Sequence, residues 1–165
     1  MTPKYIIANC MAALALTACQ PTAQTTATPT EDITTRMIIT KASPYSAGKT
    51  IDRLEAILTT KGLTVFTRVN HAAGAKKVGI EMADSELIIF GNPKLGTPLM
   101  LEAPTMGLDL PLKVLAFTDG KGQTHLTYTA PEALQSRHNI SDNRAIIEKM
   151  TGALDAMTNK AVEAK

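Results

Sequence analysis

The succession of helical and extended patterns between residues 36 and 165 restricts the fold more than any other property of the chain. Ile51, Leu54 and Leu58 recur at the spacing of one helix face, which predicts a helix over residues 47–61. Ser46 is a suitable N-cap for this helix, and Gly62 suits the position just beyond its last turn. This helix is the first of two long helices that we expect to pack on the predicted sheet.

Extended patterns account for most of the remaining domain. Short apolar or alternating runs predict five strands, at residues 37–41, 63–69, 86–90, 112–118 and 123–129. In the second strand the alternation predicts that Leu63, Val65 and Val69 share one face. The last two strands flank the Gly-containing segment 119–122, which predicts a β-hairpin.

The chain closes with a second amphipathic helix, for which Ser141 or Asp142 is the expected cap. Its apolar residues form a seam along one face of the helix: Ile147, Met150, Leu154, Met157 and Ala161. This seam packs either on the sheet or against a partner helix, and we favour packing on the sheet. A short helix is expected to begin at Pro131. The element order β-α-β-β-β-β-α predicts an α+β fold, with helices on one face of a mostly antiparallel sheet.

One segment of the domain shows no regular pattern. Gly91, Asn92 and Pro93 end the third strand, and residues 94–110 contain further glycines and prolines. We expect an irregular loop here, with at most a short helix at residues 97–101. A loop of this length in a small domain often carries function.

The first residues of the chain have the pattern of a secretory signal rather than of a domain. Lys4 precedes an apolar run over residues 6–16, which is too short to span a bilayer as a stable helix. The sequence Leu16-Thr17-Ala18-Cys19 resembles a bacterial lipobox, which implies cleavage before Cys19 and lipidation of its thiol. The alternatives are an ordinary signal peptide with an incidental cysteine, or an uncleaved anchor.

The lipobox divides the chain into a signal peptide (residues 1–18), a lipid-anchored Thr- and Pro-rich tether (19–35) and a single α+β domain (36–165). Cys10 leaves with the signal, so Cys19 is the last cysteine and no intramolecular disulfide is expected. Gln20 follows it where an inner-membrane retention signal would have Asp. We therefore expect attachment to the outer membrane, facing the periplasm.

Composition excludes several functional classes. The net charge of +2, from 17 basic and 15 acidic side chains, gives no electrostatic case for nucleic-acid binding. Two cysteines exclude a disulfide-dense scaffold and a Cys-based zinc finger, and the three histidines lack ligand spacing. We therefore predict no metal and no cofactor. Scarce aromatic residues indicate an aliphatic core.

Several segments together resemble the domain-of-unknown-function 302 family. In order they are Ser43-Pro44-Tyr45-Ser46, residues 50–54, 61–66, 71–75, 86–93, 96–100, Gly107-Leu108-Asp109-Leu110-Pro111-Leu112-Lys113 and Arg137-His138. The resemblance covers about residues 43–140. It implies a TATA-binding-protein-like α+β fold and a homodimer, and it implies no particular activity.

Four residues are candidates for a pocket: His71, Phe90, Asn92 and Thr97. His71 ends a strand and could act as a general base or ligand, although a structural role is the simpler interpretation. Phe90 and Asn92 flank Gly91 at a strand end, where they shape either a pocket or only a tight turn. Thr97 would complete a cleft beside His71.

These observations leave two functional hypotheses open. The favoured one is a non-enzymatic, lipid-anchored envelope domain that binds a small ligand or a protein partner. The alternative is an enzyme acting on a small envelope substrate, with His71 as general base and Asn92 or Thr97 as orienting groups. No recognisable catalytic constellation is present in the sequence, which favours the binding module.

Overall fold

The computed structural model of the chain describes residues 38–164, so the predicted signal peptide and tether lie outside the described residues. The strands in this range are β1 (Ile38–Ser43), β2 (Thr64–Asn70), β3 (Ser85–Gly91), β4 (Leu112–Thr118) and β5 (Thr124–Thr129). The α-helices are α1 (Ala47–Thr60), α2 (His71–Lys77), α3 (Pro93–Glu102), α4 (Pro131–His138) and α5 (Arg144–Val162). A short 3-10 helix, Pro104–Leu108, follows α3.

The five described strands form one sheet in the order β1-β5-β4-β3-β2, and each neighbouring pair is antiparallel. The predicted α+β class is confirmed, and the sheet is fully antiparallel rather than mostly so. The β4–β5 hairpin turns at residues 119–122, as predicted, with Gly122 at a positive φ of 81°. The first strand pairs with the last, so β1 forms one sheet edge and β2 the other.

Helices α1 and α5 pack together and bury one face of the sheet. Ile51, Leu54 and Leu58 of α1 are fully buried against sheet residues such as Ile88 and Leu126. The α5 seam is buried along its whole length, which confirms that it belongs to the core: Ile147, Met150, Leu154, Met157 and Ala161. As the composition indicated, this core is mainly aliphatic.

Both ends of α1 agree with the prediction. A side chain of α1 also binds the carbonyl groups at the C-terminal end of α5. Ser46 Oγ accepts a hydrogen bond from the Lys49 N–H at 3.3 Å, and Gly62 has a φ of 70°. Arg53 Nε donates to the Ala161 carbonyl at 2.6 Å, and its Nη2 donates to the Glu163 carbonyl at 2.9 Å. These bonds satisfy carbonyl groups that the last turn of α5 leaves without a helical partner.

A β-bulge in β2 makes one prediction wrong. The pairing shifts between Val65 and Thr67, so Val65 lies opposite Phe90 whereas Val69 lies opposite Leu87. Because successive residues of a strand point to opposite faces, Val65 and Val69 therefore face opposite sides of the sheet. Val69 is 38% exposed and does not share the core face with Val65.

Because of the bulge, the charged residue Arg68 lies on the face of β2 that packs against the helices. Arg68 donates to Glu86 at 2.7 Å, to Glu55 at 2.8 Å and to Asp52 at 3.0 Å. The hydrogen bonds to Glu86, Asp52 and Glu55 raise the pKa of Arg68, and they join β2 to both α1 and β3.

The predicted irregular loop at residues 94–110 is wrong, because most of it is helical. Asn92 accepts a hydrogen bond from the Lys94 N–H at 3.0 Å, and Pro93 occupies the first helical position. These two residues therefore start α3 rather than only ending β3. Helix α3 contains Pro98 and extends well beyond the short helix expected at residues 97–101. Residues 71–77, which follow β2 directly, form the short helix α2.

Neither Ser141 nor Asp142 caps α5, whose N-cap position makes no side-chain bond, and Glu102 from the end of α3 instead binds the three residues that precede the helix. The Glu102 carboxylate accepts the backbone N–H groups of Ser141, Asp142 (2.9 Å) and Asn143 (3.0 Å). The Asn143 side chain also donates to it at 2.8 Å and makes no capping bond of its own. The N–H groups of Asp142 and Ser141, followed by the Asn143 side chain, lower the pKa of Glu102 to about 2.

We expect Glu102→Gln to weaken the fold at neutral pH and to flatten its acid response. A carboxylate with a lowered pKa stabilises the fold fully above its ordinary pKa of 4.5, and this contribution is lost as the pH falls towards 2. Thermal unfolding between pH 7 and pH 2 measures the effect. The melting temperature of the wild type should fall more steeply than that of the variant below pH 4.5. Parallel curves would contradict the assignment.

Candidate functional site

An apolar pocket of about 230 Å³ opens at the end of the sheet where β3 leads into α3. Strand ends, α3, the segment that precedes β4, and α5 all contribute to its wall. The lining residues are Leu63, Phe66, Gly91, Asn92, Pro93, Leu95, Gly96, Thr97, Met100, Gly107, Leu110, Pro111, Leu112 and Met150. None of these side chains is titratable, so the pocket suits an apolar group rather than an ion.

Three glycines keep the pocket open. A Cβ at Gly96 would lie 3.4 Å from Leu110 Cδ1, and one at Gly91 would lie 3.5 Å from the Pro111 Cβ. A Cβ at Gly107 would lie 3.8 Å from the Met100 sulfur. Side chains at these positions would therefore project towards the residues that line the pocket.

The predicted site residues separate into two groups. Asn92 and Thr97 line the pocket, so the strand end does shape a cavity as one of our interpretations proposed. The Asn92 side-chain oxygen is engaged with the Lys94 N–H as the N-cap of α3. Phe90 is only 1% exposed and belongs to the core between the sheet and the helices, not to the pocket lining.

His71 lies at the other end of the β2–β3 hairpin. It is exposed as the first residue of α2, next to the end of β2 that pairs with Glu86, whereas Asn92 follows the end that pairs with Thr64. Seven residues of strand at about 3.3 Å each separate the two ends by roughly 20 Å. His71 therefore does not share a cavity with Asn92 and Thr97.

A polar cluster that the sequence analysis did not identify joins α4 to the 3-10 segment. His138 donates or accepts at both ring nitrogens: Nε2 lies 2.7 Å from Asp109 Oδ2, and Nδ1 lies 2.9 Å from Thr105 Oγ1. Arg137 Nη1 donates to both Asp109 carboxylate oxygens at 2.9 Å. We call these four residues the His138 cluster.

Burial distinguishes the members of the His138 cluster. The His138 side chain is only 3% exposed, whereas Thr105 lies at the surface. Burial by itself would raise the pKa of Asp109, but the hydrogen bonds from His138 and Arg137 outweigh it and lower that pKa. Asp109 is therefore a carboxylate at neutral pH.

The sequence contained a partial signal for this cluster. The segments that resemble the family include residues 107–113 and Arg137-His138. However, 28 residues separate Asp109 from Arg137, and sequence spacing alone cannot show that they are in contact. His125 forms a similar pair with Asp119 at 2.9 Å and stacks on Phe117, but among residues 38–164 no hydroxyl bonds its other nitrogen.

Residues 38–164 contain no group of three or more His, Cys, Asp or Glu side chains arranged to hold a metal ion. Among the helices of the same residues, none combines the length and the apolar character that crossing a membrane requires.

The fold, together with the segments that resemble the family in sequence, defines an α+β domain of one known family. The family described as "Domain of unknown function DUF302" matches residues 39–157, and the chain belongs to it. A crystal structure of an uncharacterized conserved DUF302 protein from Bacillus stearothermophilus superposes with a TM-score of 0.69 at 20% identity. That likeness covers 76% of this chain and 98% of the other, and it concerns the fold alone.

Sequence relatives in Brucella are longer than this chain. A Brucella suis protein named fluoride-specific ion channel FluC 1 is 45% identical over 117 residues, which cover 70% of this chain and 46% of that protein. A Brucella abortus protein of the same name is 45% identical over 117 residues and 43% of its length. The chain thus spans less than half the length of these curated relatives.

Proposed function

We propose that this domain is a binding module for a small apolar group, which enters the pocket beside Asn92, and that a lipid on Cys19 anchors it in the cell envelope. The observation that carries the first part is the pocket itself, whose wall is almost entirely aliphatic, aromatic and glycine. Clefts of this composition, with one or two polar groups at the rim, are typical of ligand sites.

The size of the pocket limits the ligand. An engineered cavity of about 150 Å³ binds benzene, so a volume of about 230 Å³ accepts one ring or a short aliphatic chain. Burying about six methylene groups gains roughly 5 kcal/mol before the cost of association. Once the cost of association is subtracted, such a group alone would bind no more tightly than about the millimolar range, so tight binding requires contacts outside the pocket.

A binding role fits the pocket better than the enzymatic alternative does. The enzyme hypothesis requires His71 to act on a group held by Asn92 or Thr97, and roughly 20 Å of strand separates them. Asn92 already caps α3, and no lining residue can exchange a proton at neutral pH. Binding of an apolar group needs none of these functions.

Two observations support an envelope location. The first is the sequence Leu16-Thr17-Ala18-Cys19 followed by a Thr- and Pro-rich tether, with Gln20 favouring the outer membrane. The second is the Brucella relatives, whose name describes ion channels and hence membrane proteins. Ion conduction is not part of the proposal, because the chain matches less than half of each relative.

We also propose that two copies of the domain associate through the sheet face opposite α1 and α5. The pairing of β3 with β4 places four apolar side chains on this face: Leu87, Ile89, Leu115 and Phe117. None of them belongs to either buried cluster of the described residues. An apolar face of this kind is a common interaction surface. A second copy is the partner that the family resemblance implied.

Gly96→Ala should weaken binding without weakening the fold. The added methyl group lies 3.4 Å from Leu110 Cδ1 and narrows the pocket, whereas alanine within a helix is favoured over glycine by about 0.5–1 kcal/mol. We expect n-hexanol, titrated by amide chemical shifts, to bind about tenfold more weakly.

Two variants control this measurement. Gly152→Ala makes the same change on an exposed part of α5 where nothing lies within 4 Å, and His71→Ala removes the distant imidazole. Both should bind n-hexanol as the wild type does. Unchanged affinity in Gly96→Ala, or lost affinity in His71→Ala, would contradict the assignment of the pocket.

Cys19→Ala should block maturation, because only a thiol at this position accepts the lipid. The expected product is an unlipidated precursor of higher mass, detected by intact mass spectrometry of membrane fractions. Cys10→Ala, which changes a cysteine inside the apolar run, should mature normally. Normal maturation of Cys19→Ala would refute the lipobox.

Leu115→Lys should abolish the proposed dimer while the fold remains. The side chain lies on the open sheet face, so a charge there opposes association but does not enter the core. Sedimentation velocity should show a monomer for this variant, and a dimer for the wild type and for Thr59→Lys on the exposed surface of α1. A monomeric wild type would overturn the proposal.

A further inference from the structure

The His138 cluster arranges a hydroxyl, an imidazole and a carboxylate in a line, and the binding function leaves this arrangement unused. Thr105 Oγ1 lies 2.9 Å from His138 Nδ1, and His138 Nε2 lies 2.7 Å from Asp109 Oδ2. Both distances are those of good hydrogen bonds. The same three chemical groups form the nucleophile, base and orienting acid of hydrolytic triads on unrelated folds.

The hydrogen-bond partners determine where the imidazole carries its proton. Arg137 donates to both oxygens of Asp109, so this carboxylate is ionised and can only accept. His138 must therefore hold its proton on Nε2 and donate it to Asp109. In the neutral ring Nδ1 is then an acceptor, and the Thr105 hydroxyl donates to it. This is the orientation that a general base requires.

Exposure of the cluster also suits a nucleophile. Thr105 is an exposed residue in the first turn of the 3-10 helix, and its Oγ1 is part of a partly buried hydrogen bond at the edge of the cluster. The His138 side chain behind it is 3% exposed, and its Nδ1 has the Thr105 hydroxyl as hydrogen-bond partner. Arg137 holds the carboxylate with two bonds and so fixes the position of the ring that Asp109 contacts.

We propose that Thr105 is a nucleophile that accepts an acyl group from small carboxylic esters, with His138 as its general base and Asp109 as the positioning residue. Thr105 Oγ1 forms a bond to the ester carbonyl carbon while its proton passes to His138 Nδ1. The carbon–oxygen bond to the leaving alcohol then breaks, and the imidazolium returns the proton to that alcohol. Water can release the acyl group as a carboxylic acid by the same steps.

This inference is independent of the proposed binding function. Thr105, Asp109 and His138 are not among the lining residues of the apolar pocket. The chain also supplies an internal comparison, because Asp119 and His125 form a carboxylate–imidazole pair at 2.9 Å without a hydroxyl on the second nitrogen. If the hydroxyl and the base act together, only the His138 cluster should react with esters.

Acetylation of the full chain by p-nitrophenyl acetate tests the proposal. Peptide mapping after the reaction separates an acetyl group on Thr105 from acetyl groups on lysine amines and cysteine thiols. We expect residue 105 to be labelled in the wild type, in Thr105→Ser and in Asp119→Asn. His138→Gln should slow labelling of Thr105 roughly 100-fold, the usual effect of losing a general base.

Thr105→Val is the decisive variant, because it replaces only the hydroxyl and keeps the shape of an exposed side chain. Its melting temperature should fall only slightly, because the buried Nδ1 of His138 loses one hydrogen-bond donor, while the release of p-nitrophenol that depends on Thr105 disappears. The proposal is overturned if Thr105→Val releases p-nitrophenol at the wild-type rate, or if mapping finds acetyl groups only on lysines and cysteines. These two results remain decisive even if His138→Gln fails to fold.

Discussion

The packing of the α5 seam against the rest of the domain is the interaction on which the structure depends. Leu154, Met157 and Ala161 join α1 and the sheet in one buried cluster, while Ile147 and Met150 join α3, α4 and the 3-10 segment in another. A single helix therefore holds both clusters together. Met150 also lines the apolar pocket, so the same seam that closes the core forms part of the candidate binding site.

Polar contacts fix the ends of the elements that this seam packs together. Glu102 joins the end of α3 to the start of α5, and Arg53 joins α1 to the end of α5. Asp109 connects the segment before β4 to Arg137 and His138 of α4. Since α3 and the segment before β4 form most of the pocket wall, these bonds hold the pocket in shape without placing a charge inside it.

Sequence patterns predicted the parts of the fold that follow a simple period. The spacing of Ile51, Leu54 and Leu58 and the α5 seam identified both long helices, because a 3.6-residue repeat appears directly in the sequence. The bulge beside Val65 was missed because one extra residue moves every later residue of the strand to the other face of the sheet. No residue pattern in this part of the sequence indicates a bulge. The start of α3 was missed because Asn92 and Pro93 were interpreted only as the end of a strand, although a capping Asn92 and a first-turn proline favour a helix start.

The candidate site was harder to predict than the fold, because it depends on which strand ends meet. Asn92 and Thr97 are close in sequence and share the pocket, whereas His71 lies at the opposite hairpin end. The central claim is that the pocket binds an apolar group, and intermolecular NOEs from n-hexanol test it most directly. We predict NOEs to the methyl groups of Met100, Leu110 and Met150. NOEs confined to exposed side chains such as Leu101, or none at saturation, would contradict the claim.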